Sequence, residues 1–309
     1  VVIRQGDRLV SRLVNIDRDL LVIPGVAIHM DRSVNKGAEL NPAVDLLPLL
    51  GCGKEPGTFR KLIAEAAGVR EEHLLSTELF LYPRTKAVQT GLNGEFIVSP
   101  RLDDLQCVFG CLEGFLAAKP GGSLPVLAVF NNEEVGSNTR QGADSTFLTD
   151  VLERIAHGCG LDSEGWKAAV ANSFMVSADN AHAIHPAHPE YADKGEFPVL
   201  GGGIVIKYNA NQRYTTDAVS GAVFQAICQE AGVPVQRYSN RADLPGGSTL
   251  GNISTAHLSV PTVDIGLPQL AMHSVCETAG AADTDYLVKA MTAYFSRDFH
   301  RDRDGGIVF

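Results

Sequence analysis

From about Gly94 onward, short apolar runs alternate with stretches whose apolar residues recur at helical spacing. Nothing else in the chain constrains its fold as much. A brief apolar run bounded by turn residues reads as a buried strand, and an apolar face with helical periodicity reads as an amphipathic helix. Strands are expected at 124–130, 173–178, 203–208, 234–238 and 261–265, and helices at 104–118, 145–157, 216–231, 249–257 and 283–297. In the first helix, Leu105, Val108, Phe109, Leu112, Phe115 and Leu116 are expected to face the core. In the second, Phe147, Leu148, Val151, Leu152 and Ile155 take that place. Alternation of this kind implies an α/β fold: a mixed, largely parallel sheet sandwiched by helices.

The first ninety residues follow another pattern. Strands are expected at 11–16, 20–23 and 78–82, with loop-rich sequence over 27–57. A helix is expected at 58–68, with Phe59, Leu62, Ile63 and Ala66 on one face. This region reads as an inserted β-rich dimerisation or oligomerisation module over 1–92, leaving 93–309 as a second domain.

Bulk properties exclude whole classes of partner. A net charge of −10 over 309 residues leaves no extended basic face for nucleic acid. No apolar run approaches the ~20 residues a membrane span requires. The six cysteines are scattered with no Cys-x-x-Cys pair, which reads as reduced thiols in a cytoplasmic protein. The start, Val1-Val2-Ile3-Arg4-Gln5, has neither an initiator Met nor the charged and apolar regions of a signal peptide, and reads as the interior of a longer protein.

In open α/β sheets, sites form beyond the carboxyl ends of strands. Five acidic or imidazole side chains fall at such places. Asp103 follows the apolar run 96–98, Glu133 and Glu134 end the run 124–130, Asp179 ends 173–178, and His273 follows 261–265 and its loop. Adjacent side chains on an extended chain diverge. One glutamate of the pair can therefore ligate a metal while the other takes a proton from water. Each residue also has a plain structural reading. Asp103 suits a helix N-cap, Asp179 a turn cap and His273 an ordinary loop histidine. Lys207, after the apolar run 204–206, suits a surface lysine whose stem lies on apolar neighbours.

Several ordered segments carry a family resemblance. They are Ala27-Ile28-His29-Met30-Asp31-Arg32, Glu133-Glu134-Val135-Gly136-Ser137, Asp179-Asn180-Ala181-His182-Ala183-Ile184-His185-Pro186, Asn209-Ala210-Asn211-Gln212-Arg213-Tyr214, and the run from Val263 through Leu267-Pro268-Gln269-Leu270-Ala271-Met272-His273-Ser274. In content and order the chain resembles the aspartyl aminopeptidase family of dinuclear zinc peptidases. The resemblance implies two zinc ions per subunit, with cobalt or manganese as substitutes. It makes Asp103 the carboxylate bridging the two ions, with Glu134 and His273 on one and Asp179 on the other. Glu133 becomes the general base. His182, Lys207 and Tyr214 fall near substrate, and His29 reaches a neighbouring subunit's site. The loop Asp243-Leu244-Pro245-Gly246-Gly247-Ser248-Thr249 matches a loop beside the family's active site, or alternatively a helix start capped by Ser248 or Thr249. The implied activity is removal of an N-terminal residue, an acidic one by the family's preference, from peptides. The implied assembly is a homo-oligomer, a dodecamer built from dimers.

The sequence departs from the family in two respects. The family's His-Thr-Asp-Ser-Pro motif, which supplies a histidine to the first ion, is absent. Asn131-Asn132 and Asp104 stand where the family often has an acidic residue and an Asn respectively. The first departure supports an alternative expectation: a catalytically impaired member that serves as an assembly or binding protein.

Overall fold

The structure is a computed structural model and describes every residue except Lys54 and Pro245. The chain divides into two compact units, Val1–Arg84 and Thr85–Phe309.

The first unit contains β1 (Val2–Gln5), β2 (Arg8–Ser11), α1 (Thr58–Ala67) and β3 (Leu74–Ser76). The strands form an antiparallel sheet in the order β2-β1-β3. Gly6, with φ of 60°, and Asp7 make the two-residue turn between β1 and β2. A Gly-Asp pair is a hairpin signal, because its first residue takes positive φ without strain. Ile3, Ile63, Ala64 and Leu74 form the core. The helix matches its expected span and buries Ile63 and Ala64, whereas Phe59 is exposed. The strands expected at 11–16, 20–23 and 78–82 are absent apart from Ser11, which ends β2, and a single bridge from Val22 to Leu49. Their apolar residues, including Leu13, Ile23 and Phe80, are exposed. A β-propensity run without a neighbouring strand or a core face gains nothing by forming a ladder.

The second unit runs through β4 (Val88–Thr90), β5 (Phe96–Ser99), α2 (Leu102–Ala117), α3 (Phe147–Gly158), α4 (Ser163–Ala171), β6 (Met175–Ala178), β7 (Ala181–His182) and β8 (Ile204–Tyr208). It continues with α5 (Ala218–Glu230), β9 (Val235–Ser239), α6 (Leu250–Ser254), β10 (Thr262–Gly266), β11 (Pro268–Leu270), β12 (Glu277–Gly280), α7 (Ala281–Phe295), β13 (His300–Arg301) and β14 (Ile307–Val308). The expected strand at 124–130 is missing. The expected helix at 249–257 is shortened to α6, and the other elements expected from Gly94 on are present within a few residues.

Two mixed sheets, with more antiparallel than parallel pairings, organise this unit in place of the single, largely parallel sheet expected from the sequence. One has the order β6-β10-β8-β9, with β6/β10 and β8/β9 parallel and β10/β8 antiparallel. The other has the order β4-β5-β12-β11-β7 and is antiparallel except for β11/β7. The pairs β6/β10 and β7/β11 are successive stretches of the same two chain segments. They are stitched across the junction by Asp179 N donating to Ile265 O and Ala181 N donating to Leu267 O. A Cβ on Gly266 would lie 2.0 Å from the carbonyl oxygen of Asp179, so only glycine fits where the two segments pass this closely. The core lies around β8, β10, α5 and α7, where Ile204, Ile206, Phe224, Ile227, Val263, Ile265 and Leu287 are fully buried.

Helix α2 corrects the expected core face. Leu105, Phe109, Leu112 and Leu116 are exposed, while Gln106, Cys107, Gly110, Cys111 and Gly114 are buried. The small residues let α7 approach. A Cβ on Gly114 would sit 2.5 Å from Met291 Cβ. Helix α3 differs in the same way, with Phe147, Val151 and Ile155 exposed. A cavity of about 1160 Å³ accounts for part of this exposure, that of Leu105 on α2 and Ile155 on α3: both line it, together with Val108, Leu148, Leu152, residues 124–130 and the open edge strand β6. Residues 124–130 run along the cavity without a ladder partner among the described residues, which is why the expected strand does not form.

Candidate metal centre

The junction between the two sheets brings the acidic and imidazole side chains together. Asp179 and Asn180 occupy the break between β6 and β7. Asp103 lies in the first turn of α2, just after β5, in non-helical backbone. Glu133 and Glu134 sit in a turn closed by Gly136 N donating to Glu133 O, so the expected helix after them begins only at Phe147. His273 follows β11 rather than β10 directly, in a turn closed by Ser274 N donating to Ala271 O.

Two groups of oxygen and imidazole atoms result. In the first, His273 Nε2 lies 3.1 Å from Asp103 Oδ2 and 3.3 Å from Glu134 Oε1. In the second, one carboxylate oxygen each from Asp103, Asp104 and Asp179 lies within 4.8 Å of the others. Asp103 belongs to both groups. Its Oδ1 is buried with no hydrogen-bond donor facing it among the described residues. A buried carboxylate oxygen left without a donor is costly unless a cation satisfies it. Imidazole with carboxylates is a donor set that suits Zn²⁺, so the residues present fit the ion that the sequence implies. The sequence reading missed Asp104 as part of this cluster, although it stands beside Asp103 in one Asp-Asp pair.

The crowding of negative charge shows in the acid–base properties. Burial first, then the charge of Asp179, raises Asp103 to about 7. The same two causes push Asp104 well above the usual carboxylate range. Glu133 is exposed as a residue, yet partial burial of its carboxyl, then Asp179 and Glu134, raise its pKa as well.

Lys207, on β8, is buried and no surface lysine. Its Nζ donates to the carbonyl of Asn180 at 2.8 Å and lies 3.5 Å from Asp179 Oδ2. Burial alone would lower its pKa, but the charges of Asp179 and Asp264 outweigh it and hold the pKa above the ordinary lysine value. The ammonium sits 5.5 Å from the centre of the Tyr214 ring. Tyr238 joins Tyr214 and His182, with ring centres 6.2 Å from each. Burial and the charge of Lys207 keep the His182 pKa low. Four of the expected substrate-side and metal-side groups thus meet at one place, and Tyr238 is an addition the sequence reading did not make. His29 lies in a turn of the first unit and is exposed. His185 and His188 are exposed loop residues, their rings 5.1 Å apart.

In the 243–249 loop, Pro245 lies outside the described residues. Thr249 takes the cap position of α6, but its hydroxyl donates to Asp264 Oδ1 rather than capping the helix.

Residues 1–295 match the sequence profile of the aminopeptidase I zinc metalloprotease family, M18. The chain belongs to that family. A probable M18 family aminopeptidase 2 of Clostridium acetobutylicum is 45% identical over 290 residues, covering 93% of this chain and 67% of the relative. Among solved structures, the Ape4 and Nbr1 complex superposes with a TM-score of 0.85 at 34% identity, over 95% of this chain and 61% of that one. The mApe1 dodecamer of S. cerevisiae superposes with a TM-score of 0.76 at 25% identity, over 95% and 67%. The chain therefore spans about two thirds of the length of the relatives it matches. The mixed α/β architecture is that of the M18 structures.

Proposed function

We propose that this chain is a dinuclear zinc aminopeptidase that removes the N-terminal residue of peptides, acidic ones by preference. The observation that carries the reading is Asp103, shared between two ligand groups and left with an unsatisfied buried oxygen. Glu134 and His273 would hold one ion with Asp103. Asp179 would hold the other, with Asp104 beside it. Bound zinc supplies Lewis-acid polarisation of the scissile carbonyl and lowers the pKa of water at the site.

Glu133 takes the proton of the attacking water and passes it to the leaving amine. Its raised pKa brings it closer to neutrality, where proton transfer in both directions is efficient. Lys207 holds Asp179 and the Asn180 carbonyl in place and brings positive charge beside the carboxylate cluster. His182, Tyr214 and Tyr238 form the adjacent wall, with His182 neutral near pH 7.

The proposed assembly is a homododecamer built from dimers. Its support is the likeness to the mApe1 dodecamer and the exposed apolar residues of the first unit, among them Leu13, Met30 and Phe80. Apolar side chains left in water gain free energy by burial against another chain, and in this reading His29 reaches a neighbouring subunit's site. A cytoplasmic setting belongs to the same reading and rests on the scattered cysteines.

A second reading, an impaired member that binds or assembles, draws on one observation. The two ligand groups among the described residues contain a single imidazole against the carboxylates of Asp103, Asp104, Glu134 and Asp179. Elemental analysis after exhaustive buffer exchange, with hydrolysis of a panel of aminoacyl substrates on the same sample, separates the two. Two ions per chain with release of N-terminal residues supports the peptidase, and fastest release of Asp or Glu supports the acidic preference. One ion or none without cleavage supports the second reading.

A further inference from the structure

Glu277, at the start of β12, is buried, and no step of the reading above uses it. Its two carboxylate oxygens accept hydrogen bonds from two backbone amides far apart in sequence. Oε2 accepts from Asp103 N at 3.0 Å, and Oε1 accepts from His273 N at 2.8 Å. Both amides belong to residues whose side chains meet at 3.1 Å.

We infer that Glu277 is a positioning residue for the metal centre, a carboxylate clamp that fixes the Asp103 and His273 backbones relative to each other. The inference rests on the metal reading of these residues. Neither segment is held by regular structure at that point. Asp103 lies in non-helical backbone within the first turn of α2. His273 has a φ of 67°, a left-handed conformation disfavoured for residues other than glycine. The His273 side chain is 62% exposed, so packing does not hold its ring. Local hydrogen bonding is what remains to hold it.

The sequence places the clamp economically. Glu277 pairs with Ser99 across β12/β5, and Ser99 ends the strand that leads into Asp103. On the other side, only Ser274, Val275 and Cys276 separate it from His273, and Ser274 Oγ donates to the Cys276 carbonyl to close that short turn. One rigid strand end therefore registers both approaches to the centre. Carboxylates that accept from charge-poor backbone amides make strong, directional bonds, and such supporting groups typically change metal affinity about 10–100-fold when removed.

The test is Glu277→Gln, with Glu277→Asp as the second variant. Gln keeps the size and one acceptor oxygen but turns an amide NH₂ toward the other backbone N–H. Asp keeps the charge but is one methylene too short to reach both. Residue-resolved hydrogen exchange on the metal-free chain reads the clamp without any ion. Zinc affinity, by competition with a chromophoric chelator, reads the consequence, and the unfolding midpoint is followed alongside. Expected is faster exchange at Asp103 or His273 by about tenfold or more, weaker binding of the ion held by Asp103, Glu134 and His273 by about 10–100-fold, and a smaller loss at the second ion, whose group shares Asp103 but not His273. Wild-type exchange at both amides in both variants overturns the clamp. Released amides with unchanged zinc affinity overturn the positioning role, as does an equal loss at both ions that tracks the unfolding midpoint. If the wild-type chain takes up no ion, the metal reading fails and the positioning role with it, while the exchange data still decide the clamp.

Discussion

Lys207 and Asp179 form a buried pair beneath the junction of the two sheets, Nζ to Oδ2 at 3.5 Å, with the ammonium also bonded to the carbonyl beside Asp179. The lysine side chain is 3% exposed and that of Asp179 is 17% exposed. The ammonium therefore compensates a carboxylate that the protein has largely taken out of water. Replacing Lys207 by Met keeps the side-chain length and strands that carboxylate. Breaking a buried pair from one side costs about 3–5 kcal/mol, and the partial opening of Asp179 puts the expected loss near the lower figure. Urea unfolding of the metal-free Lys207→Met chain measures it. A midpoint within error of wild type would mean that Asp179 is solvated well enough to stand alone.

Glu133→Gln keeps the size of the side chain and removes its basicity. Glu133 is in neither ligand group, so metal content should not change. Turnover should fall by about 10²–10⁴-fold, the usual contribution of a general base. Steady-state kinetics alongside elemental analysis checks both halves. Turnover at the wild-type rate removes Glu133 from the mechanism, and loss of metal reassigns it as a ligand.

His273 is the one imidazole in the two groups, and it joins only the group of Asp103 and Glu134. His273→Ala should therefore lose one ion and keep the other, with loss of cleavage. Two ions retained would strike His273 from the ligands, and loss of both would mean that Asp103 cannot hold the second ion alone with its neighbours.

The acid–base state of Asp103 gives a pH dependence with a definite sign. Burial and then Asp179 raise its pKa from 3.8 to about 7. A protonated carboxyl must lose its proton before it ligates, so ion affinity should rise about tenfold per pH unit up to pH 7 and level off above it. The metal-free chain should behave oppositely. Its native state holds the Asp103 proton where the unfolded chain has released it, so this group's stabilising contribution is full below about pH 4 and is lost as the pH rises through 7. Calorimetry in buffers of different ionisation enthalpy counts the proton released on zinc binding at pH 6. No release there would contradict the raised pKa.

Much of this was legible in the sequence, for reasons that differ by element. Residues 204–207 and 262–266 are buried in the unit's core, and their apolar runs read as strands of the interior. Asp103, Glu134, Asp179 and His273, which the fold brings to one place, could be picked out as candidates because acidic and imidazole side chains directly after apolar runs combine pattern with chemistry. Residues 124–130 carry the same apolar signal but line a cavity without a ladder partner, and a strand is defined by its neighbours rather than by its own composition. Helix α2 was misread because its tight contact with α7 runs through Gly110 and Gly114, and hydrophobic periodicity gives such small residues little weight. Glu277 carried no signal because its place depends on which segments the fold juxtaposes, whereas Asp104 was legible as a departure from the family's Asn but not as a member of the carboxylate cluster.

Gly266 ties the fold to the site most directly. It ends β10, where that segment passes Asp179, and an added Cβ would lie 2.0 Å from the Asp179 carbonyl oxygen and 3.0 Å from the Ala181 amide nitrogen. Both obstacles are backbone, so no rotamer change relieves the overlap. Overpacking a well-packed site costs about 1–3 kcal/mol and occasionally more, and Gly266→Ala belongs at the upper end. The strain has one local escape, separation of the two segments, which moves Asp179 away from Asp103 and Asp104. The expected result is therefore a lower unfolding midpoint together with weaker binding of the ion assigned to Asp179, while the ion at His273 is less affected. Gly114→Ala is the control: it overpacks α2 against α7, where the added Cβ would meet Met291 and the Thr292 amide nitrogen rather than Asp179. It should lower the midpoint comparably without distinguishing the two ions. Equal effects of both substitutions on metal binding would mean that the centre responds to overall stability and not to the spacing that Gly266 sets.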